Sequence, residues 1–535
     1  MNPVVGDLAG NADQILAAWR QAAETGADLV VTSELSLSGA PLDDFAAAPG
    51  LLKATHHAVL RLARDTASGP ALLIGAPWQQ TNGIGDAALL LDGGAVAGCV
   101  LRHAVDATGA FNETHLFAPA AFQEPLPWRT TRLGVMVGLD CHHPDVATNL
   151  SEKGAQILIV LCASPFQVGR QKQRVALARE RILETGLPFV CVNQAGGQDD
   201  LIFDGASFVM DAEGALKARL EPWRAAVLTT AWDDTDGLLT PKPATLAASP
   251  DDEPAVYDAL VTGLRDFVTK NKAERVLIPL TGDAASALVA ALAVDALGTA
   301  RVRAVEVPSV FTAKEKRAAA QTMAEALGLR LDTLPVATAV ASVEQTLAEY
   351  FIGCPPDATE EKLPARLRAV LLMALAEKSG ALLLSTVDKT GLAIGQASLY
   401  GDMAGHYAPL IDVYRSQITR LAADRNETLP DHAAGPRGKV FADVFLAPPL
   451  PVTLADARTI AVDKLDRILA LLVEEEQSVA AIVQAGYDAD EIRAVLHRFD
   501  AAEPLRYQAP PGPKVSARHL VRDRRVPLTR VSIDI

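Results

Sequence analysis

Two places in this sequence set chemistry-capable residues at the ends of apolar runs. Glu34 closes the run Leu29-Val30-Val31-Thr32-Ser33. A carboxylate there is placed to act as a general base, although the residues alone favour a solvated strand-end glutamate. The second place is Thr281-Gly282-Asp283-Ala284-Ala285-Ser286, between the run Val276–Leu280 and an alanine-rich stretch ending at Gly298. Strand, small-residue turn and helix N-terminus in that order present backbone amides to a phosphate, so the stretch reads as a nucleotide site. Cys141-His142-His143 also draws the eye, yet adjacent side chains on an extended segment diverge and no further Cys or His lies at ligand spacing. No metal site is expected there.

These residues need a scaffold. Apolar positions Ile15, Leu16, Trp19, Ala22 and Ala23 predict a helix starting near Asn11, and residues 27–39 predict a buried strand ending at Glu34. Residues 233–252 are polar and carry Pro241, Pro243 and Pro250, which predicts a connection between a domain over 1–232 and another over 253–535. A helix over Pro254–Asn271 opens the second. At 535 residues two or three domains are expected. A net charge of −16 argues against a nucleic-acid or anionic-membrane binder, and no apolar run approaches the roughly 20 residues of a membrane span. Five cysteines, with Cys162 and Cys191 inside apolar runs, predict buried thiols and a reducing, cytoplasmic setting.

Leu187–Phe208 contains Asn193-Gln194-Ala195-Gly196-Gly197-Gln198-Asp199-Asp200 and Phe203-Asp204-Gly205-Ala206-Ser207-Phe208. It resembles the N-Q-x-G-G-Q-D-E…F-D-G-x-S-F signature of glutamine-dependent NAD+ synthetases, an α/β family that fuses a nitrilase-like glutaminase to an adenylating synthetase. The resemblance implies an N-terminal αββα sandwich and a C-terminal doubly wound α/β domain. In the first it implies Glu34 as general base, and it places Arg102 where a lysine is expected, Thr108 for a tyrosine and Gly138 for the nucleophilic cysteine. Arginine is planar and forked, a poor substitute for a compact ammonium. A glycine forms no thioester. Cys141 lies three residues on, about 10 Å away if extended, too far to replace the nucleophile. The resemblance implies a first strand ahead of Asn2-Pro3, and the expectation here is either a start site called late or a sheet that lacks that strand.

The loop at Thr281 is similar to the family's SGGxDS pyrophosphate loop, with Asp283 at the second glycine and Ala285 at the metal-side aspartate. The resemblance implies an ATP and deamido-NAD+ site at Thr281, Gly282, Asp283, Ser286, Arg366, Thr386, Lys389 and Asp402. It implies Mg2+ as well, but Ala285 and Gly391 stand at the metal-binding carboxylates, so no metal site is expected. Asp283 does not replace the ligand at 285, since two loop residues displace it by up to about 7 Å. Replacements in both halves predict an inactive relative with a structural, ligand-sensing or regulatory role. The competing expectation is an active synthetase using glutamine or ammonia. Self-association through the first domain, or assembly with an active synthetase, is the expected partnership.

Overall fold

The computed structural model describes all residues except 106–112, 236, 251–252, 310–311, 356, 455–457 and 531–535. Thr108 lies outside the described residues. The chain forms two compact units, Met1–Asp252 and Glu253–Ile535.

In the first unit two sheets lie face to face. One has the order Leu29–Val31, Ala71–Gln80, Gly83–Asp92, Ala95–Leu101; the other runs Leu216–Arg219, Phe208–Met210, Phe189–Asn193, Ile157–Cys162, Thr131–Val137, Leu126–Trp128. Strand periodicity sorts their side chains. Leu73, Leu90, Val135, Val137, Ile159 and Leu161 meet between the sheets. Their neighbours Leu72, Ile74 and Leu89 pack outward on Ile15, Trp19, Val59 and Leu62 of the helices Leu8–Glu24 and Leu51–Asp65. On the opposite side Met136, Leu158 and Val160 pack on Val146, Leu150 and Ile182 of the helices Pro144–Glu152 and Arg170–Thr185. This is the expected αββα sandwich.

Local details differ from the sequence expectation. The first helix starts at Leu8, not near Asn11, because Asp7 caps it by accepting from Gly10 N at 2.9 Å. Asn11 then turns its amide inward, donating to Val4 O and Leu37 O. The strand before Glu34 is only Leu29–Val31. Within the expected connection, Trp232–Thr235 and Leu238–Pro241 pair as an antiparallel hairpin. Arg219 N donates to Thr245 O and the Arg219 guanidinium to Ala247 O, so backbone groups tie this stretch to the first unit as far as Ala247.

The second unit is built on a parallel sheet of order Leu331–Thr333, Val302–Glu306, Arg275–Pro279, Ala381–Leu383. Helix Ala358–Ser379 lays Leu372 and Ala376 on Leu277, Val305 and Leu383. Helix Ala284–Leu297 is buried on all sides, which its Ala/Leu/Val composition permits. The expected opening helix runs Pro254–Lys270. Among the described residues no helix is long and apolar enough to cross a membrane.

Candidate functional site

In the first unit the chain turns sharply after Val31, with Leu35 at φ +47°, and this turn carries Glu34 inward. Glu34 is 6% exposed, so the solvated reading fails. Its Oε2 accepts from Ala163 N at 2.7 Å and its Oε1 from Arg102 Nη1 at 3.0 Å. Arg102 follows the strand Ala95–Leu101 and is itself buried. It also meets Asp86 Oδ2 at 3.1 Å and Glu113 Oε2 at 2.6 Å. Burial opposes the Arg102 charge, but Asp86, Glu113 and Glu34 outweigh it and raise its pKa. Burial first, and then Glu34, push the Asp86 pKa well above its ordinary value, while Arg102 pulls it down.

Gly138 begins a short 3-10 turn, Gly138–His142, after the strand Thr131–Val137. Its φ is +55°, and a Cβ there would lie 2.3 Å from Glu34 Oε1. The carboxylate thus fills the space a side chain would need. Asp140 locks the neighbourhood, Oδ1 accepting from His103 N and Ala104 N and Oδ2 from Val137 N. Because residues 138–142 coil, the extended separation expected for Cys141 does not hold: its thiol donates to Gly138 O at 3.5 Å. What keeps it from Glu34's service is its surroundings. Cys141 sits in the core with Cys162 and Cys191, whose sulfurs are 3.6 Å apart. Cys162 is pushed well up in pKa by its contact with Cys141 and by burial, against a lowering contact with Cys191, and Cys191 by its contact with Cys162 and by burial, which suits inert core cysteines.

The Asn193–Phe208 stretch forms a hairpin, Ala195–Gln198 with Leu201–Asp204. Its polar residues are used internally. Asn193 Nδ2 donates to Ser164 O and Asp204 Oδ1, Arg174 pairs with Asp204 Oδ2, and Gln194 Nε2 reaches Ala40 O.

In the second unit the strand, loop and helix appear as expected. Gly282 has φ +78° and lies against the backbone, since a Cβ there would meet Lys316 O at 1.9 Å. Asp283 caps the helix with its own carboxylate: Oδ1 accepts from Ser286 N at 2.8 Å, and Oδ2 from Thr281 Oγ1 at 2.7 Å. Ser286 Oγ in turn accepts from Thr281 N. The anion position at this helix end is taken by the chain itself.

Lys389 is held by residues from later in the chain. It is fully buried, 3.0 Å from Asp412 Oδ1 and 2.7 Å from Glu474 Oε1, and donates to Ser516 Oγ and Arg518 O. Asp412 accepts from Val515 N and Ser516 N, and although burial opposes its charge, Lys389, His519 and Lys514 hold its pKa below the usual range. Arg415 stands beside Asp388. Its Nε and Nη2 grip Asp388 at 2.9 and 3.2 Å, and Nη1 donates to Gln396 Oε1 at 2.6 Å. A Cβ at Gly391 would lie 3.0 Å from Arg415 Nη2. Thr386 is half-buried, and Arg366 is exposed on its helix. Asp402 is exposed too, 3.5 Å from Arg368 and accepting from Ser398 Oγ.

Residues 1–236 match the carbon-nitrogen hydrolase family and residues 256–509 the NAD synthase family. The chain is 37% identical to a glutamine-dependent NAD(+) synthetase of Rhodobacter capsulatus, over 99% of this chain and 97% of that one. It is 36% identical to another from Xylella fastidiosa, over 98% and 96%. This chain belongs to the glutamine-dependent NAD+ synthetase family. A solved synthetase of Acinetobacter baumannii in complex with ADP superimposes with a TM-score of 0.78 at 30% identity, over 99% of this chain and 97% of that one. One from Cytophaga hutchinsonii, at 17% identity and a TM-score of 0.82 over 98% and 96%, shares the fold.

Glu34, Arg102 and Gly138 meet at one place, as do Thr281, Gly282, Asp283 and Ser286, while Lys389 is held in a buried network with Asp412 and Glu474. Asp86 was missed by the sequence reading. The signal was there: one carboxylate inside the apolar strand Gly83–Asp92. At the two positions where the family resemblance implies metal-side carboxylates, Ala285 and Gly391 carry no side-chain oxygen, and the Arg415 guanidinium lies 3.0 Å from where a Cβ at Gly391 would be.

Proposed function

We propose that this synthetase-family chain is a catalytically inactive member that keeps both folds and acts as a nucleotide-responsive or assembly partner in NAD+ metabolism. One observation carries the reading: the space at Gly138, where the nucleophile would stand, is filled by Glu34, whose charge is closed off by Arg102. A general base with no thiol to activate and no room for one performs no acyl transfer. The second unit supports the same reading. Asp283 occupies its own helix end, Lys389 is consumed by Asp412 and Glu474, and Arg415 stands beside Gly391. An adenine nucleotide is the ligand class proposed for this unit, as with the ADP of the Acinetobacter relative. No transfer chemistry is assigned to it.

The test is NAD+ formation from deamido-NAD+ with ATP, Mg2+ and either glutamine or ammonium. Neither nitrogen source is expected to give turnover. Turnover with ammonium alone would overturn the second half of the reading, and turnover with glutamine the whole of it.

A further inference from the structure

We propose that the Arg415 guanidinium is a built-in replacement for a divalent cation, so that the second unit takes the phosphates of a nucleotide without metal. The inference rests on the nucleotide reading above. It starts from what occupies the space around Gly391. A side chain grown there would run into Arg415 Nη2 at 3.0 Å, and Asp388 already uses both carboxylate oxygens on the same guanidinium. Gln396 takes a third contact, at Nη1. A metal ion put in this place would face a fixed positive charge and find its nearest carboxylate engaged.

The same guanidinium is equipped to receive an anion. Nε, one N–H of Nη2 and one of Nη1 are committed; the second N–H of each Nη is left for a ligand. The side chain is 26% exposed, so solvent reaches part of it. Its position is fixed from two sides, since Arg415 N donates to Thr390 Oγ1 and the Asp388 grip holds the head. A planar fork held in this way suits phosphate oxygens. The loop and the anchor of Arg415 leave the sheet together: Arg275–Pro279 and Ala381–Leu383 are adjacent parallel strands, so Thr281–Ser286 and Asp388 both follow at the same end of the sheet. Asp283 adds negative charge at that end, which opposes an incoming phosphate.

Calorimetric titration of the full chain with ADP, in EDTA and in Mg2+, tests this. Equal affinity in the two buffers is expected, and paramagnetic resonance with Mn2+ alone is expected to show no bound ion. Arg415→Met should weaken ADP binding about tenfold or more in EDTA, as loss of charge-assisted hydrogen bonds predicts. Arg415→Lys should recover part of it, and Asp283→Asn should tighten it. ADP binding that requires Mg2+, or Mn2+ binding by the unaltered chain, would overturn the inference while leaving the nucleotide reading intact. Absence of ADP binding in both buffers would overturn both. Should Arg415→Met fail to fold, the metal comparison on the unaltered chain still decides.

Discussion

Glu34 and Gly138 are complementary in shape: Glu34 Oε1 occupies the volume of the side chain that Gly138 lacks, 2.3 Å from where its Cβ would be. Restoring a cysteine is therefore not a simple reversal. Gly138→Cys must accept φ +55° and displace a carboxylate held by Ala163 N and Arg102. A destabilisation of about 1–3 kcal/mol is expected from backbone strain of this kind. Chemical denaturation measures it, and glutamate release should stay at background.

The unaltered protein is expected not to hydrolyse glutamine. Loss of a covalent nucleophile costs on the order of 10⁶ in rate. A coupled glutamate assay checks this, with Cys141→Ala as the control. Enzymatic release that disappears in that variant would make Cys141 the nucleophile after all.

Lys389 and Asp412 are both fully buried, and each is the other's counter-charge. Lys389→Met removes the counter-charge in contact with Asp412 and should cost about 3–5 kcal/mol, as breaking a buried pair does. Because the folded-state pKa of Asp412 is lowered, this stability is present above the unfolded carboxylate pKa of about 4 and is lost as pH falls further. Urea midpoints at pH 7 and pH 3 should converge for the variant and the unaltered chain.

Asp258 behaves in the opposite sense. Burial raises its pKa to about 7, with Asp431 adding to the rise, and His432, 3.8 Å away, is lowered to about 4, chiefly by burial. The histidine is neutral where Asp258 titrates and offers no counter-charge. Stability is full below the unfolded pKa of about 4 and declines as pH rises towards 7. Asp258→Asn removes that decline, so its melting temperature relative to the unaltered chain should climb between pH 5 and pH 8. The side chain is 26% exposed, so solvent screening keeps the gain small.

A homo-oligomer, or a complex with an active synthetase, is expected to form through the first unit. Obligate interfaces bury roughly 2,000–5,000 Å². Light scattering after size exclusion at micromolar and sub-micromolar concentrations checks this. A 56.4 kDa species at both, unchanged by added synthetase, would leave the chain a monomer.

The sandwich and the parallel sheet were expected because the motifs over Asn193–Phe208 and Thr281–Ser286 resemble those of a family with these folds; the residues alone gave single elements such as the strand, loop and helix over 276–298. What was not legible depended on who meets whom. Glu34 read as solvated because strand ends usually are, and only the Arg102 contact and the Leu35 turn make it interior. The distance argument for Cys141 assumed an extended chain, whereas Gly138 permits a coil that brings the thiol back to Gly138 O. Lys389 looked like a phosphate ligand by motif, but its partners Asp412, Glu474, Ser516 and Arg518 come from as far as 129 residues away in sequence. Arg415 was visible as a residue type; its place beside Gly391 was not.

Arg102 joins three acidic groups that no single chain segment supplies: Glu34, Asp86 and Glu113. A lysine there carries a point charge and reaches fewer of them at once. Positions 102 and 138 are consequently coupled. Changing Arg102 alone strands acidic groups in the interior, and changing Gly138 alone drives a side chain into Glu34. Either single change gives a less stable protein, so the cluster acts as a latch that yields only when both residues are altered together.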